Sequence, residues 1–363
     1  MVRRRLALCL LFCLALAGCG AGMGGQFGAS GGAISRQGQS TSVAAPSCLA
    51  GGCGATVTAG ATGVQLFVEP SAGEAPVLHA IQAAQTSVWV EVYLLTDRNV
   101  IYALEDAAQR GVDVRVLLEL NPYGSGTTTP QQTLQELQAA GVKAVGSNPA
   151  FHYTHEKAII VDGATLLILT ANLTKSGLGG SSYANNREYG VIDTTPEDVR
   201  EASTIFQADW QRQTPTLSDP NLVVSPVNAR ARLQAFINSA RTSLVVEDEE
   251  MYDPRSEDAL LAAARRGVQV DIVLPQPSGS SGGADVDVAR LLAGGVHVRY
   301  IAIVYMHAKM MVADGQRAFV GSENFSANSL DDNRELGILI ADPAAITTLT
   351  QTFQQDWTSA QAA

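Results

Sequence analysis

Ala84-Gln85-Thr86-Ser87-Val88-Trp89-Val90-Glu91 returns 156 residues later as Ala240-Arg241-Thr242-Ser243-Leu244-Val245-Val246-Glu247. Ala108-Gln109-Arg110-Gly111-Val112-Asp113-Val114 returns at the same offset as Ala264-Arg265-Arg266-Gly267-Val268-Gln269-Val270. His155-Glu156-Lys157 matches His307-Ala308-Lys309 at an offset of 152. Asn186-Arg187-Glu188 matches Asn333-Arg334-Glu335 at 147, as does Phe206-Gln207-Ala208-Asp209-Trp210 with Phe353-Gln354-Gln355-Asp356-Trp357. The falling offset marks small insertions in the first copy, which loops absorb most readily. One unit of about 150 residues is therefore written twice, over 64–215 and 216–363.

Within each copy strands alternate with helices. Val88 to Leu95 is rich in β-branched and aromatic residues and reads as a buried strand. Val100 to Arg110 has helical apolar spacing and stops at Gly111. Val112 to Leu120 is a strand and Gln131 to Ala140 a helix. Ala158 to Val161 and Leu166 to Leu169 are strands around an Asp162-Gly163 turn. Val191 and Ile192 lie in a further strand, and Pro196 opens a helix that runs to Trp210. The expected class is α/β: two repeated α/β sandwich halves related by a pseudo-two-fold, with one active site at their interface. Trp210 and Trp357 end equivalent helices and read as core anchors.

The interface expectation comes from the motif His155-x-Lys157-x4-Asp162, repeated as His307-x-Lys309-x4-Asp314. The chain has only four lysines, and two of them fall here. Residues two apart on a strand point to one face, so each histidine projects with its lysine. Asp162 and Asp314 fall in the turns and read as structural. Ten residues on stand Asn172 and Asn324, with hydroxyls at Thr170 and Ser322. These amides and hydroxyls are placed to hold phosphate oxygens. Glu188 and Glu335 follow. A carboxylate that accepts a histidine Nδ1–H fixes the tautomer and makes Nε2 more basic. His79, His152 and His297 have no counterpart in the other copy and read as ordinary histidines.

This constellation resembles the phospholipase D superfamily, whose signature is the duplicated His-x-Lys-x4-Asp. The resemblance covers about residues 64–360. The second copy, with Gly321-Ser322-Glu323-Asn324, fits the pattern. The first departs from it, because Leu169-Thr170-Ala171-Asn172 has leucine for glycine. The resemblance implies that one histidine attacks phosphorus and the other protonates the leaving alcohol, then activates water or a second alcohol. His155 is assigned as nucleophile and His307 as acid by that analogy; the repeated motif itself is symmetric. Lys157 and Lys309 would neutralise the charge that gathers on the transition state. No cofactor or metal is expected, since two ammonium groups can do that work and no His-Glu-x-x-His occurs.

The N-terminus reads as an address. Arg3, Arg4 and Arg5 precede an apolar run from Leu6 to Ala17, and then Leu16-Ala17-Gly18-Cys19 looks like a bacterial lipobox. Residues 1–18 are expected to leave as a signal peptide, with Cys19 lipidated. Residues 19–63 read as a tether, as Gly20 to Gly63 hold 13 of the 34 glycines. Its coil span is about 35–40 Å. Cys48 and Cys53 lie within it, and an oxidising compartment would allow them to bridge. The expected location is the cell envelope, facing periplasm or exterior.

Net charge is −11, and loss of the three leader arginines takes it to −14. That balance disfavours a grip on a polynucleotide backbone. It leaves phosphodiester chemistry on a membrane phospholipid as the expected activity, with hydrolysis first and phosphatidyl transfer of the cardiolipin synthase type as the alternative. An envelope-anchored, metal-independent nuclease and a non-catalytic lipid-anchored binding protein are the other readings. A monomer is expected. Head-group choice is assigned to the loops Asn121 to Pro130 and Gln276 to Ala284. The acids Glu91, Glu247 and Asp248 to Glu250 read as solvated strand ends rather than as a seat for a cationic head group.

Overall fold

The computed structural model describes residues 60–123, 129–277 and 287–363. The leader, Cys19, Cys48, Cys53 and parts of the two head-group loops lie outside the described residues. The first repeat runs β1 (Gln65–Glu69), α1 (Ala75–Ala83), β2 (Ser87–Val92), α2 (Arg98–Gln109), β3 (Asp113–Leu118), α3 (Pro130–Ala139), β4 (Lys143–Gly146), β5 (Lys157–Val161), β6 (Thr165–Leu169), β7 (Asn186–Asp193) and α4 (Pro196–Trp210). The second runs β8 (Leu222–Ser225), α5 (Ala229–Ser239), β9 (Ser243–Asp248), α6 (Pro254–Arg265), β10 (Gln269–Pro275), α7 (Val288–Ala293), β11 (His297–Ile301), β12 (Tyr305–Met306), β13 (Lys309–Ala313), β14 (Arg317–Gly321), α8 (Ala327–Asp331), β15 (Glu335–Ile340), α9 (Pro343–Ser359) and β16 (Gln361–Ala362).

The sheets are ordered β1-β7-β6-β5-β2-β3-β4 and β8-β15-β14-β13-β9-β10-β11, with β16 added at the end of the second. Strand for strand the order is the same, and so is the register. Val92 pairs with Lys157 across β2 and β5, and Asp248 with Lys309 across β9 and β13. The fold is thus α/β in two matching halves, both within one compact unit.

Local chemistry explains the elements. The Asp97 side chain caps α2 by accepting from Asn99 and Val100 N–H, and Asp253 caps α6 at Ser256. Gly111 and Gly267 follow those helices at φ 90° and 88°, the left-handed conformation that ends them. Asp162-Gly163 and Asp314-Gly315 have positive φ at both central residues, as a tight hairpin requires. Each aspartate then reaches back to the start of β2 or β9. Asp162 accepts from the N–H groups of Gln85, Thr86 and Ser87, and Asp314 from Arg241, Thr242 and Ser243. The motif aspartates are structural clamps. The strand expected to reach Leu95 stops at Val92 because its β5 partner begins at Lys157, which frees Tyr93 to turn away from the sheet.

Three apolar layers form. One packs under the outer helices of each half, and a third holds side chains of both halves together. That shared layer takes Val199, Ala202, Ile205 and Phe206 from α4, and Ala345, Ile346, Leu349 and Phe353 from α9. Trp210 and Trp357 stack on Phe206 and Phe353 at 5.8 and 5.7 Å. Each tryptophan is only partly buried and packs at the margin of this layer, where Arg115 and Arg299 cover it.

The halves also exchange backbone. Met306 of β12 pairs in parallel with Arg187 of β7, and Thr154 pairs with Arg334 at the equivalent place. Buried ion pairs repeat the exchange. Arg187 bonds Asp356 in α9 at 2.5 and 2.9 Å, and Arg334 bonds Asp209 in α4 at 2.7 and 3.1 Å. Removing one partner strands a buried charge. Asp356→Ala or Asp209→Ala should therefore cost about 3–5 kcal/mol in denaturant unfolding. Lys143→Ala, which loses an exposed pair with Asp113, should cost no more than about 1 kcal/mol.

Candidate active site

The same exchange builds the site. β5 and β13 start at Lys157 and Lys309, so the histidines two residues earlier lie at the strand mouths. The His155 N–H donates to the Arg334 carbonyl at 2.8 Å, and the His307 N–H donates to Arg187 at 3.3 Å. Each histidine backbone is therefore pinned by the opposite half. So is each ring. His155 Nδ1 lies 2.9 Å from Glu335 and His307 Nδ1 lies 2.7 Å from Glu188. The carboxylate that orients a histidine comes from the other repeat, which leaves Nε2 as the ring nitrogen turned away from that carboxylate.

Glu188 and Glu335 are fully buried and held by matching neighbours. Thr170 Oγ1 donates to Glu188 at 2.6 Å and Asn186 Nδ2 at 2.9 Å. Asn333 Nδ2 and Ser329 Oγ donate to Glu335 at 3.0 and 2.7 Å. The hydroxyls expected on phosphate are thus turned to other work. Thr170 accepts from Tyr189 N–H and Ser322 from Leu336 N–H, and both are fully buried. Asn172 and Asn324 stand two residues further on, also buried, with carboxamide oxygens that have no partner among the described residues. Gly321 has a packing role. A Cβ there would lie 2.6 Å from Gly337 Cα and 2.3 Å from a Glu323 oxygen. Leu169 in the first half faces Gly190 instead and fills the outer core.

The lysines are buried at the bottom of the site. Lys157 Nζ donates to the His155 carbonyl and lies 5.4 Å from the centre of the Tyr93 ring. Lys309 Nζ donates to the His307 carbonyl at 2.6 Å and to Glu249 at 2.8 Å. Their electrostatics diverge accordingly. Burial pulls Lys157 down to about 7, whereas in Lys309 the carboxylates of Glu249 and Glu188 outweigh burial and raise it. Burial also lowers His155 below its ordinary 6.5, against the pull of Glu335. Burial opposes ionisation of Glu335, yet contact with His155 holds it below the usual carboxylate range.

Residues that the repeat pattern does not flag complete the site. Glu249 touches both His307 and Lys309, and Tyr93 lies edge-on to His155 with ring centres 4.6 Å apart. They occupy equivalent positions but differ in type, so matching the copies passes over them. The acids read as solvated strand ends are corrected. Glu91, Glu247 and Asp248 are buried, and burial raises all three, Glu247 to about 8. Glu247 accepts from Tyr189 at 2.6 Å. Each is paired within its strand: Glu91 lies opposite Ala158, Glu247 opposite Met310 and Asp248 opposite Lys309, so none is a solvated strand end. His79 and His297 are exposed away from the site. His152 is exposed beside it, stacked edge-on against Tyr153.

The family described as cardiolipin synthase, PLD-like domain, matches residues 77–210 and 233–357, one segment in each repeat. The chain belongs to that family. It is 23% identical over 317 residues to a protein named as a probable cardiolipin synthase from Bacillus subtilis (strain 168), covering 77% of this chain and 63% of that one. It is 25% identical over 312 residues to the minor cardiolipin synthase of the same organism, covering 77% of each. The chain thus spans under two thirds of the first relative's length. Among solved structures, phosphatidylserine synthase of Haemophilus influenzae Rd KW20 aligns with a TM-score of 0.64 at 13% identity, covering 83% of this chain and 87% of that one. Polyphosphate kinase of Porphyromonas gingivalis aligns at 0.63 and 15%, covering 80% and 50%. These two share the fold.

A pH profile follows from the two shifted groups. For a site that works with neutral His155 and charged Lys157, kcat/KM should fall at low pH as His155 gains a proton, and fall again as Lys157 loses its proton near pH 7. Lys157→Arg cannot lose its charge in this range. Steady-state rates across pH 5–9 should show that this variant, at whatever rate it retains, loses the fall near pH 7 that Lys157 contributes.

Proposed function

We propose that this chain is a phosphatidyl transferase of the cardiolipin synthase type, working through a phosphohistidine intermediate. The observation that carries the reading is the pair of exchanged contacts, His155 with Glu335 and His307 with Glu188, above two buried lysines. In the first step the His155 Nε2 lone pair attacks the phosphorus of phosphatidylglycerol. The bond from phosphorus to the glycerol head group breaks, and its electrons go to the glycerol oxygen, which takes the proton from His307 Nε2. In the second step a hydroxyl of another phosphatidylglycerol gives its proton to His307 and attacks phosphorus. The nitrogen–phosphorus bond breaks towards His155, and cardiolipin leaves. Lys157 and Lys309 balance the growing charge on the phosphoryl oxygens.

Hydrolysis, first in the reading of the sequence, yields here to transfer, because the relatives are named as synthases. Water serves the same intermediate when no alcohol reaches it. Support for a lipid over a polynucleotide comes from the surface around the site. Tyr123, Tyr183 and Ile303 are the most exposed large apolar side chains among the described residues. Tyr123 N–H donates to Tyr93 beside His155, and the Asn185 carbonyl, two residues past Tyr183, accepts from Tyr305 beside His307. Ile303 lies two residues before Tyr305. An apolar, tyrosine-bearing rim suits the interface of a bilayer. Among the described residues no helix is long and apolar enough to cross a membrane. A lipidated Cys19 on a tether of 45 residues would hold the site at the envelope membrane.

Purified protein with phosphatidylglycerol vesicles should release glycerol and form cardiolipin. Phosphatidic acid as the sole product would restore hydrolysis as the function, and DNA cleavage with inert lipid would make it a nuclease. His155→Asn and His307→Asn should each lower turnover by at least about 10³-fold.

A further inference from the structure

The halves offer the cleft the same histidine, lysine and carboxylate, but the residue facing each pair differs. Tyr93 and Glu249 occupy equivalent positions, one past the ends of β2 and β9. On the first side His155 has a neutral ring edge against it, and Tyr93 uses its hydroxyl to accept from Tyr123 N–H at 2.5 Å. On the second side Glu249 Oε2 lies 3.3 Å from His307 Nε2 and 2.8 Å from Lys309 Nζ. Its other oxygen accepts from the Tyr305 hydroxyl at 3.1 Å.

His307 therefore has carboxylates at both ring nitrogens, Glu188 at Nδ1 and Glu249 at Nε2. Only an imidazolium can donate at both. A nucleophile needs a lone pair on Nε2 and an open approach for a phosphodiester. At His307 the approach is occupied by negative charge, and a phosphodiester is an anion. Among the described residues no carboxylate contacts His155 Nε2, and its lone pair is available once Nδ1–H bonds Glu335.

We propose that Glu249 gives this near-symmetric site its direction, by keeping His307 as the proton donor and reserving attack on phosphorus for His155. The inference rests on the phosphohistidine reading above. The contact with Lys309 is the shorter of the two, so Glu249 can stay on the ammonium while a leaving oxygen takes the His307 proton. When that proton returns from the acceptor hydroxyl, the carboxylate again receives it as a hydrogen bond. Glu249 makes and breaks no bond to phosphorus, so it is a positioning residue. Tyr93 is its permissive counterpart.

The test is where the adduct forms. Full-length protein is mixed with phosphatidylglycerol vesicles, quenched in alkali-stable form and mapped by mass spectrometry. Wild type should carry the adduct on His155 alone. Glu249→Gln removes the charge at constant shape, and Glu249→Tyr copies the other half. Both should put at least tenfold more adduct on His307 than wild type does. The double variant His155→Asn, Glu249→Tyr should form an adduct on His307 that His155→Asn alone does not. A purely structural role for Glu249 would lower the yield without moving the site. Adduct confined to His155 in both folded Glu249 variants overturns the inference and leaves the transfer reading intact. Wild-type adduct on His307 overturns the direction assigned. Adduct on neither histidine in wild type overturns the covalent reading itself, and this inference with it.

Discussion

Two triplets with buried arginine and glutamate, Asn186-Arg187-Glu188 and Asn333-Arg334-Glu335, hold the molecule and its site together. Each triplet sends its glutamate to the other half's histidine and its guanidinium to an aspartate in the other half's last helix. The arginine carbonyl takes the N–H of that same histidine. Three kinds of contact from three adjacent residues thus cross the interface at one place. Charges this deeply buried cost several kcal/mol to desolvate and are tolerated only when paired with good geometry. The register of the halves is therefore set by the same residues that orient the reacting nitrogens. A shift at the interface would unpair a guanidinium and misplace an imidazole together.

Above that frame the symmetry breaks. Lys157 and Lys309 are equally buried, yet one is pulled down and the other pushed up. The difference is local: an aromatic ring stands by Lys157 and a carboxylate by Lys309. Buried acids add to the imbalance. Glu156 has alanine at its counterpart position and is raised to about 8 by burial, beside Arg334 and Asp209. Chemistry that needs one histidine to give a proton and another to give an electron pair uses this kind of inequality.

Much of this was legible in the sequence. Strand and helix order, the Asp162-Gly163 hairpin and its twin, and the helix that Pro196 opens all follow from local propensity and turn chemistry. The repeat offset identified both histidines, both lysines and both glutamates. What it could not show is which half serves which. A match between copies says that Glu188 and Glu335 are equivalent, and says nothing of exchange, because partner choice lies in tertiary packing. The same blindness hid Tyr93 and left Glu249 among the acids at a strand end, since a comparison of copies finds only what is shared. Thr170 and Ser322 were misread for a different reason. A hydroxyl near a phosphate site is as well used by a buried carboxylate, and only depth distinguishes the two.

The β12–β7 pairing and its counterpart at Thr154 join the repeats at equivalent places, as the symmetric contact of a two-fold homodimer of single repeats would. In such a homodimer every substitution is copied to both sides of the cleft. A carboxylate that disables one nucleophile would disable the other as well. Joining the repeats in a single chain frees position 93 from position 249. The covalent link between the halves thus supplies more than proximity: it lets a two-fold object hold two different roles at the same address.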